Sequence, residues 1–182
     1  MKKLLSIYDF SKIGILQTAF LGDIALTLHL TTLIKQLHPN VELHFITTPI
    51  GKEIANTSPS IDKTIVFDKR NQYKRLTGLN VFATRLKEEK YDLIISPHRS
   101  FRSSLLVFLI KPDVSIGFKN AAFKFLYKYL VDYKFHKHEL WRNYELLSVL
   151  LLDKIKMLET RKKERSIILQ ELSQRISALE NC

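Results

Sequence analysis

The sequence predicts an α/β domain built on a parallel sheet with helices on both faces. Three observations carry that prediction. Apolar, strand-like runs alternate with helix-periodic segments, the runs are continuous rather than alternating in polarity, and Gly, Pro and Asn punctuate the joints between the two kinds of segment. A sheet wet on one face reads as apolar/polar alternation, whereas strands covered on both faces read as unbroken Val, Ile and Leu.

The elements follow in order. "KIGILQTAF" (12–20) is an apolar strand-like run, and from Asp23 the positions Leu26, Leu30, Leu33, Ile34 and Leu37 recur at helical spacing until "HPN" stops them. This predicts strand, tight turn, helix. "VELHFITT" (41–48) is a second strand, after which Pro49 and Gly51 open a short helical piece ending near "NTSPS". "KTIVFD" (63–68) is a third strand, and beyond the basic loop "KRNQYKR" a helix fits Leu79 to Lys90, with Val81, Phe82 and Leu86 on one side. Tyr91 to Ser96 form a fourth strand, "FRSSLLVFLIK" a helix behind it, and "DVSIGF" a short fifth strand. Repeated β-α order makes the domain doubly wound and Rossmann-like. From about His138 the chain has no Gly or Pro and is rich in Leu, Glu, Lys and Arg, which reads as one long helix or two in series. Its distal part carries Ile168, Leu172, Ile176 and Leu179 as a narrow stripe suited to docking on the domain or to pairing with another helix. The expected organisation is a globular domain over 1–152 and a charged helical tail over 153–182.

With 182 residues there is room for one domain with a sizeable core and an appendage, and 46% hydrophobic against 26% charged residues describes a soluble globular chain rather than a disordered one. No apolar run reaches the roughly 18 residues of a spanning helix. Asp9 and Lys12 interrupt "MKKLLSIYDFSK" before a signal-peptide core forms, so the expected compartment is the cytoplasm. A single cysteine, Cys182, excludes an internal disulfide framework. The net charge is +11, and since residues 153–182 hold seven Lys/Arg against five Asp/Glu, a surplus of nine lies in residues 1–152. Such a surplus attracts nucleic acid, an anionic membrane surface or a phosphorylated substrate.

In an open parallel sheet ligands bind beyond the carboxyl ends of the strands, so the residues just after each strand are the candidates. After the first comes "TAFLGD", which is neither a dinucleotide fingerprint nor a phosphate-binding loop. Asp23 there either caps its helix or is a carboxylate at the mouth of the cleft, able to accept a proton from a substrate hydroxyl. After the fourth comes "SPHRSFRS", which puts His98, Arg99 and Arg102 at the start of a helix. Cations there oppose the helix dipole, an arrangement that makes sense if an anion sits between the arginines and the helix amides; solvated arginines are the other reading. Ser96, Ser100 and Ser103 add hydroxyl contacts or cap. Lys69, Arg70, Lys74 and Arg75 form a basic loop after the third strand, whose plain reading is a solvated loop. The segment "GFKNAAFKFLYKYLVDYKFHKHELWRNY" interleaves aromatic and basic residues. That composition suits RNA or a membrane interface, and equally a helix whose lysines snorkel over buried rings. His136 and His138 are a weak metal signal without a second ligand cluster.

"KIGILQTAFLGDIALT", "SPHRSFRS", "IGF" and "HELWRNYELL" resemble, in the same order, the N-terminal domain of ADP-heptose:lipopolysaccharide heptosyltransferases, glycosyltransferase family 9, over about residues 12–152. The resemblance implies a GT-B architecture in which two Rossmann-like domains face a cleft, one holding the acceptor and the other the ADP-sugar. It implies inverting transfer of heptose without a metal or other cofactor, onto an inner-core acceptor, lipid A bearing Kdo or heptose. Asp23, after Gly22, falls on the proposed general base. His98, Arg99, Ser100 and Arg102 fall on the acceptor side, where basic residues meet Kdo carboxylates and phosphates. His138, Arg142 and Asn143 match the start of the family's next helix. The donor-binding domain has no counterpart here, so the expectation is a truncated transferase, one part of a split enzyme or an acceptor-binding remnant with another role, with ADP-heptose as a partner only if a second domain is supplied in trans. The expected setting is the cytoplasm at the inner membrane surface, without nucleic acid. The competing expectation is a non-enzymatic basic module that contacts nucleic acid or anionic lipid and recruits a partner through its helical tail.

Overall fold

A computed structural model describes residues 5–150 of the chain. Six strands, β1 (Lys12–Leu16), β2 (Glu42–Thr47), β3 (Lys63–Val66), β4 (Leu93–Ser96), β5 (Val114–Phe118) and β6 (Tyr129–Val131), form one sheet in the order β3-β2-β1-β4-β5-β6. Every pairing is parallel. The helices are α1 (Leu21–Leu37), α2 (Pro49–Ala55), α3 (Leu76–Lys87), α4 (Phe101–Ile110) and α5 (Glu139–Glu145).

Each central strand feeds two cores, which is the physical reason its residues are apolar without alternation. Ile15, Phe45 and Ile95 point to one face, where Ile24, Leu30 and Ile34 of α1 and Leu146 and Leu147 after α5 cover them. Their neighbours Leu16, Ile46 and Ile94 point to the other, under Leu79, Phe82 and Leu86 of α3 and Leu106, Val107 and Ile110 of α4. The residues before the first strand belong to the first core, since Leu5, Ile7 and Phe10 are buried in it. The Asp92 carboxylate then fixes the entry to β1 by accepting from the amides of Ser11 (2.7 Å) and Lys12 (2.8 Å).

Three expectations change and one open alternative is decided. β1 ends at Leu16 rather than running to Phe20, because the side chains of Gln17 and Thr18 turn into buried polar contacts instead of continuing the sheet. α3 begins at Leu76, and its buried stripe is Leu79, Phe82, Ala83 and Leu86; Val81 faces solvent. The aromatic-basic segment is not one helix: a turn that includes a short 3-10 piece, Lys124–Leu126, leads into β6, a strand whose three residues are too few to show a period among the interleaved rings and lysines, and only the end of the segment, from Glu139, is α-helical. β6 pairs Ile116 with Tyr129 and Phe118 with Val131. Gly117 lets Tyr127 lie against the sheet, since a Cβ there would come within 2.8 Å of the Tyr127 ring. From His138 the open alternative of one long helix or two in series is decided against the single helix, since α5 stops at Glu145, a turn follows at 146–147 and helix resumes at 148. The expected tail over 153–182, with its apolar stripe and Cys182, lies outside the described residues. Among the described residues no helix is long and apolar enough to cross a membrane.

Candidate functional site

The sheet order reverses direction between β1 and β4, so the connections leaving these two strands diverge and open a crevice at their carboxyl ends. A cavity of about 850 Å³ lies there. Ala19, Phe20 and Leu21 line it after β1, Thr48, Pro49 and Ile50 after β2, Asp68, Lys69, Arg70 and Asn71 after β3, and His98, Ser100, Phe101 and Arg102 after β4.

His98 is the most constrained of these groups. Its Nδ1 lies 2.9 Å from the Thr18 hydroxyl and 2.8 Å from that of Ser103, with Ser100 Oγ at 3.4 Å. Burial, and then the charges of Lys69 and Arg99, push its pKa down to about 4, so the ring is neutral near pH 7. A neutral ring with Nδ1 accepting from a hydroxyl carries its proton on Nε2, which has no partner among the described residues. Ser100 is the N-cap of α4, its Oγ accepting from the Ser103 amide at 3.3 Å. Ser96 donates to the His98 carbonyl at 3.1 Å. The serines therefore shape the turn that presents the imidazole.

The cations divide. Lys69 is half-buried, donates from Nζ to the Thr18 carbonyl and so ties the β3 loop to the β1 loop. Burial, then Arg70 and Arg102, lower its pKa. Arg102 is largely committed: Nη1 donates to the Lys69 carbonyl at 3.3 Å, Nη2 to the Tyr73 carbonyl, and the guanidinium lies 5.8 Å from the Phe67 ring centroid. Arg70 is exposed at the rim, and its loop is shaped by Asp68, whose carboxylate accepts from the Asn71 side chain and from the amides of Arg70 and Asn71. Those bonds, the Asn71 side chain first, lower the pKa of Asp68. Arg99 does not line the cavity. Its guanidinium stacks 4.0 Å from the centroid of the Tyr133 ring, whose other close cation is Arg142 at 4.3 Å, and Arg142 in turn pairs with Glu139 at 2.7 Å.

Asp23 is the third residue of α1, whose N-cap is Phe20, so it is not the cap. No hydrogen bond or ion pair engages its carboxylate among the described residues. It and Gly22 lie just beyond Leu21, the last α1 residue that lines the cavity. Gly22 is helical, with no positive φ, and a Cβ on it would meet nothing within 4 Å. The glycine is therefore not needed for a tight turn; it leaves open space beside the first turn of α1. Behind Asp23 a buried polar chain holds that turn in place. Thr27 Oγ1 donates to the Asp23 carbonyl at 2.7 Å and accepts from Gln17 Nε2 at 3.0 Å and from Asn143 Nδ2 at 3.3 Å.

"HELWRNYELL" thus works by packing: Asn143 locks α5 to α1, and His138 caps α5 by accepting from the Leu140 amide at 3.3 Å. Among the described residues no group of three His, Cys, Asp or Glu could hold a metal ion. Sequence reasoning did not single out Thr18 or Tyr133. Thr18 lies inside an apolar run and Tyr133 among other aromatics, and only the fold brings them to His98 and Arg99.

The crevice, its basic wall and the free carboxylate can be set beside known proteins. Residues 80–177, more than half of the chain, match the model of glycosyltransferase family 9 (heptosyltransferase). That stretch includes "SPHRSFRS" and "HELWRNYELL" but not Asp23. No curated protein matches the chain in sequence. A family 9 glycosyl transferase from Veillonella parvula superimposes with a TM-score of 0.72 at 22% identity, covering 80% of this chain and 42% of that one. The E. coli heptosyltransferase WaaC bound to ADP-2-deoxy-2-fluoro heptose gives 0.68 at 20% identity, covering 77% and 48%, and E. coli ADP-heptose lipopolysaccharide heptosyltransferase II gives 0.59 at 15%, covering 68% and 35%. The chain therefore spans less than half the length of each of these structures. At these identities the superpositions show a shared fold, the Rossmann-like sheet with helices around it. Nothing in the comparisons supports the competing reading of a non-enzymatic basic module that contacts nucleic acid or anionic lipid. Family model and fold agree, and the chain belongs to glycosyltransferase family 9, the heptosyltransferases.

Proposed function

We propose that residues 1–152 form the acceptor-binding half of a GT-B heptosyltransferase, which acts when a domain carrying ADP-heptose completes the cleft. The observation that supports this is the crevice at the β1/β4 reversal, whose cavity has Lys69, Arg70 and Arg102 along one wall and Leu21 in its lining, two residues before the unpartnered carboxylate of Asp23. In this reading Asp23 takes the proton of an acceptor hydroxyl as that oxygen attacks the anomeric carbon; the bond from that carbon to the phosphate oxygen breaks, its electron pair leaves with ADP, and the centre inverts. Gly22 leaves room for the sugar to approach. His98 and Ser100 orient it through hydrogen bonds, Lys69 and Arg70 meet its carboxylates or phosphates, and Arg102 holds the loop that carries them. Arg99 supports the site from outside the cavity through its stack on Tyr133. The acceptor is the lipid A inner core bearing Kdo or heptose, presented at the cytoplasmic face of the inner membrane. Residues 153–182 are the charged tail of the same proposal.

Calorimetric titration of the 182-residue chain with a deacylated, Kdo-containing inner-core saccharide tests this. Binding that weakens about tenfold or more in Lys69→Ala/Arg70→Ala, and is kept in Asp23→Asn, is the expected result. Equal binding by the lysine-arginine double variant overturns the anion wall. When a family 9 donor domain is supplied in trans, heptose transfer by the parent and none by Asp23→Asn is expected; unchanged transfer by Asp23→Asn removes its role as base.

A further inference from the structure

Beside the crevice the protein exposes aromatic rings in contact with one another. Phe101 and Phe123 have ring centroids 4.8 Å apart, Phe123 and Phe125 5.5 Å apart, yet the three are 40%, 43% and 74% exposed. Single exposed apolar residues need no explanation, but a connected ridge of rings does. The loop that carries it is anchored, not loose. The Ala122 amide donates to the Arg99 carbonyl at 2.9 Å, Ser104 Oγ donates to the Ala122 carbonyl, and Tyr127 is buried against Gly117. Phe123 itself has φ 54°, a left-handed backbone that a bulky side chain seldom adopts, so the surrounding contacts hold the ring outward in a conformation it would not choose alone.

Charge indicates the occupant. Lys124 lies between Phe123 and Phe125 in the chain and is exposed, and its ammonium makes no hydrogen bond or ion pair among the described residues. Residues 118–138 carry five lysines against one aspartate, in a chain of net charge +11. A second copy would bring like charge against like. An anionic phospholipid surface supplies both partners, phosphates for the ammonium and acyl chains for the rings, which is how amphipathic interfacial segments bind. We infer that the Phe101–Phe123–Phe125 ridge with Lys124 docks the chain on an anionic phospholipid surface. Phe101 also lines the crevice, so docking there sets the mouth of the site against the membrane. This deepens the proposed function by naming the face through which a lipid-linked acceptor would be met.

Co-sedimentation of the full chain with vesicles tests it, using phosphatidylethanolamine/phosphatidylglycerol mixtures and phosphatidylcholine alone. The chain is expected to sediment with the anionic vesicles and not with the neutral ones. Phe123→Ser/Phe125→Ser should lower partitioning about tenfold or more, and Lys124→Glu should lower it on anionic vesicles. Both variants should melt as the parent does and bind the soluble saccharide as the parent does. Should the double variant melt early, Phe125→Ser, at the most exposed ring, replaces it. Partitioning of the serine variants equal to the parent, indifference of the parent to anionic vesicles, or a parent dimer that the serine variants dissolve would each overturn the inference. A parent that binds the saccharide but not the anionic vesicles overturns this inference alone; a parent that binds the vesicles but not the saccharide overturns the proposed function alone.

Discussion

His98 makes a sharp test because its environment imposes a sign and a size. The folded protein holds it neutral, with a pKa of about 4 against an ordinary 6.5, through burial first and the positive charges of Lys69 and Arg99 second. A folded-state pKa below the unfolded one means that the unfolded chain binds the proton first, so stability rises with pH between the two values. Above pH 6.5 both states are neutral and His98 adds no slope; below pH 4 both are protonated and the full cost is present. At 1.36 kcal/mol per unit, that cost is about 3 kcal/mol, spread over the window from 6.5 down to 4. His44, buried under Tyr91 and also lowered by burial, and the carboxylates of Glu42, Asp62 and Glu89, lowered despite burial by their hydrogen bonds and ion pairs, lose stability on acidification too. The measurement is therefore a difference: urea unfolding of the parent and of His98→Gln at pH 7 and near pH 4.5, with the parent losing more. NMR titration of the His98 ring gives the pKa directly. In Lys69→Met it should rise, since a neighbouring positive charge is gone, yet stay below 6.5 because burial remains the larger cause. A His98 that titrates near its ordinary value, or a pH dependence identical in parent and His98→Gln, refutes the reasoning.

Two glycines in adjacent elements should behave oppositely. Gly51→Ala puts a Cβ 2.3 Å from Thr47 Oγ1 and 2.7 Å from Ile24 Cδ1, and should cost about 1–3 kcal/mol in chemical denaturation. Gly22→Ala meets nothing within 4 Å and replaces a helical glycine, so thermal melting should show no loss and a gain of up to about 1 kcal/mol. Asn143→Ala removes a buried donor from Thr27 and should destabilise by about 1–3 kcal/mol. If the variant unfolds at the parent's urea midpoint, the Gln17–Thr27–Asn143 chain does not hold α5 on α1.

The alternation of strand and helix and the parallel sheet were legible in the sequence, because both are written in local periodicity. A strand feeding two cores must be apolar at every position, as Ile94 and Ile95 are on opposite faces of β4, and α1 shows its buried side at steps of three and four residues. The placement of Asp23 and His98 after strands was legible for the same reason, since a parallel strand ends on the side where ligands bind. The tertiary structure alone decided what those side chains meet. Thr18 and His98 lie 80 residues apart, and nothing local to either says that one hydroxyl and one ring nitrogen will share a proton. Arg99 and Arg102, three positions apart at one helix start, go to different partners: the first stacks on Tyr133 from beyond β6, the second bonds to carbonyls of the β3 loop. A strand of three residues, β6, forms only because β5 offers it an edge. Periodicity reports which face of an element is apolar, whereas the fate of a charge or a hydroxyl depends on groups distant in the chain that the fold carries to it.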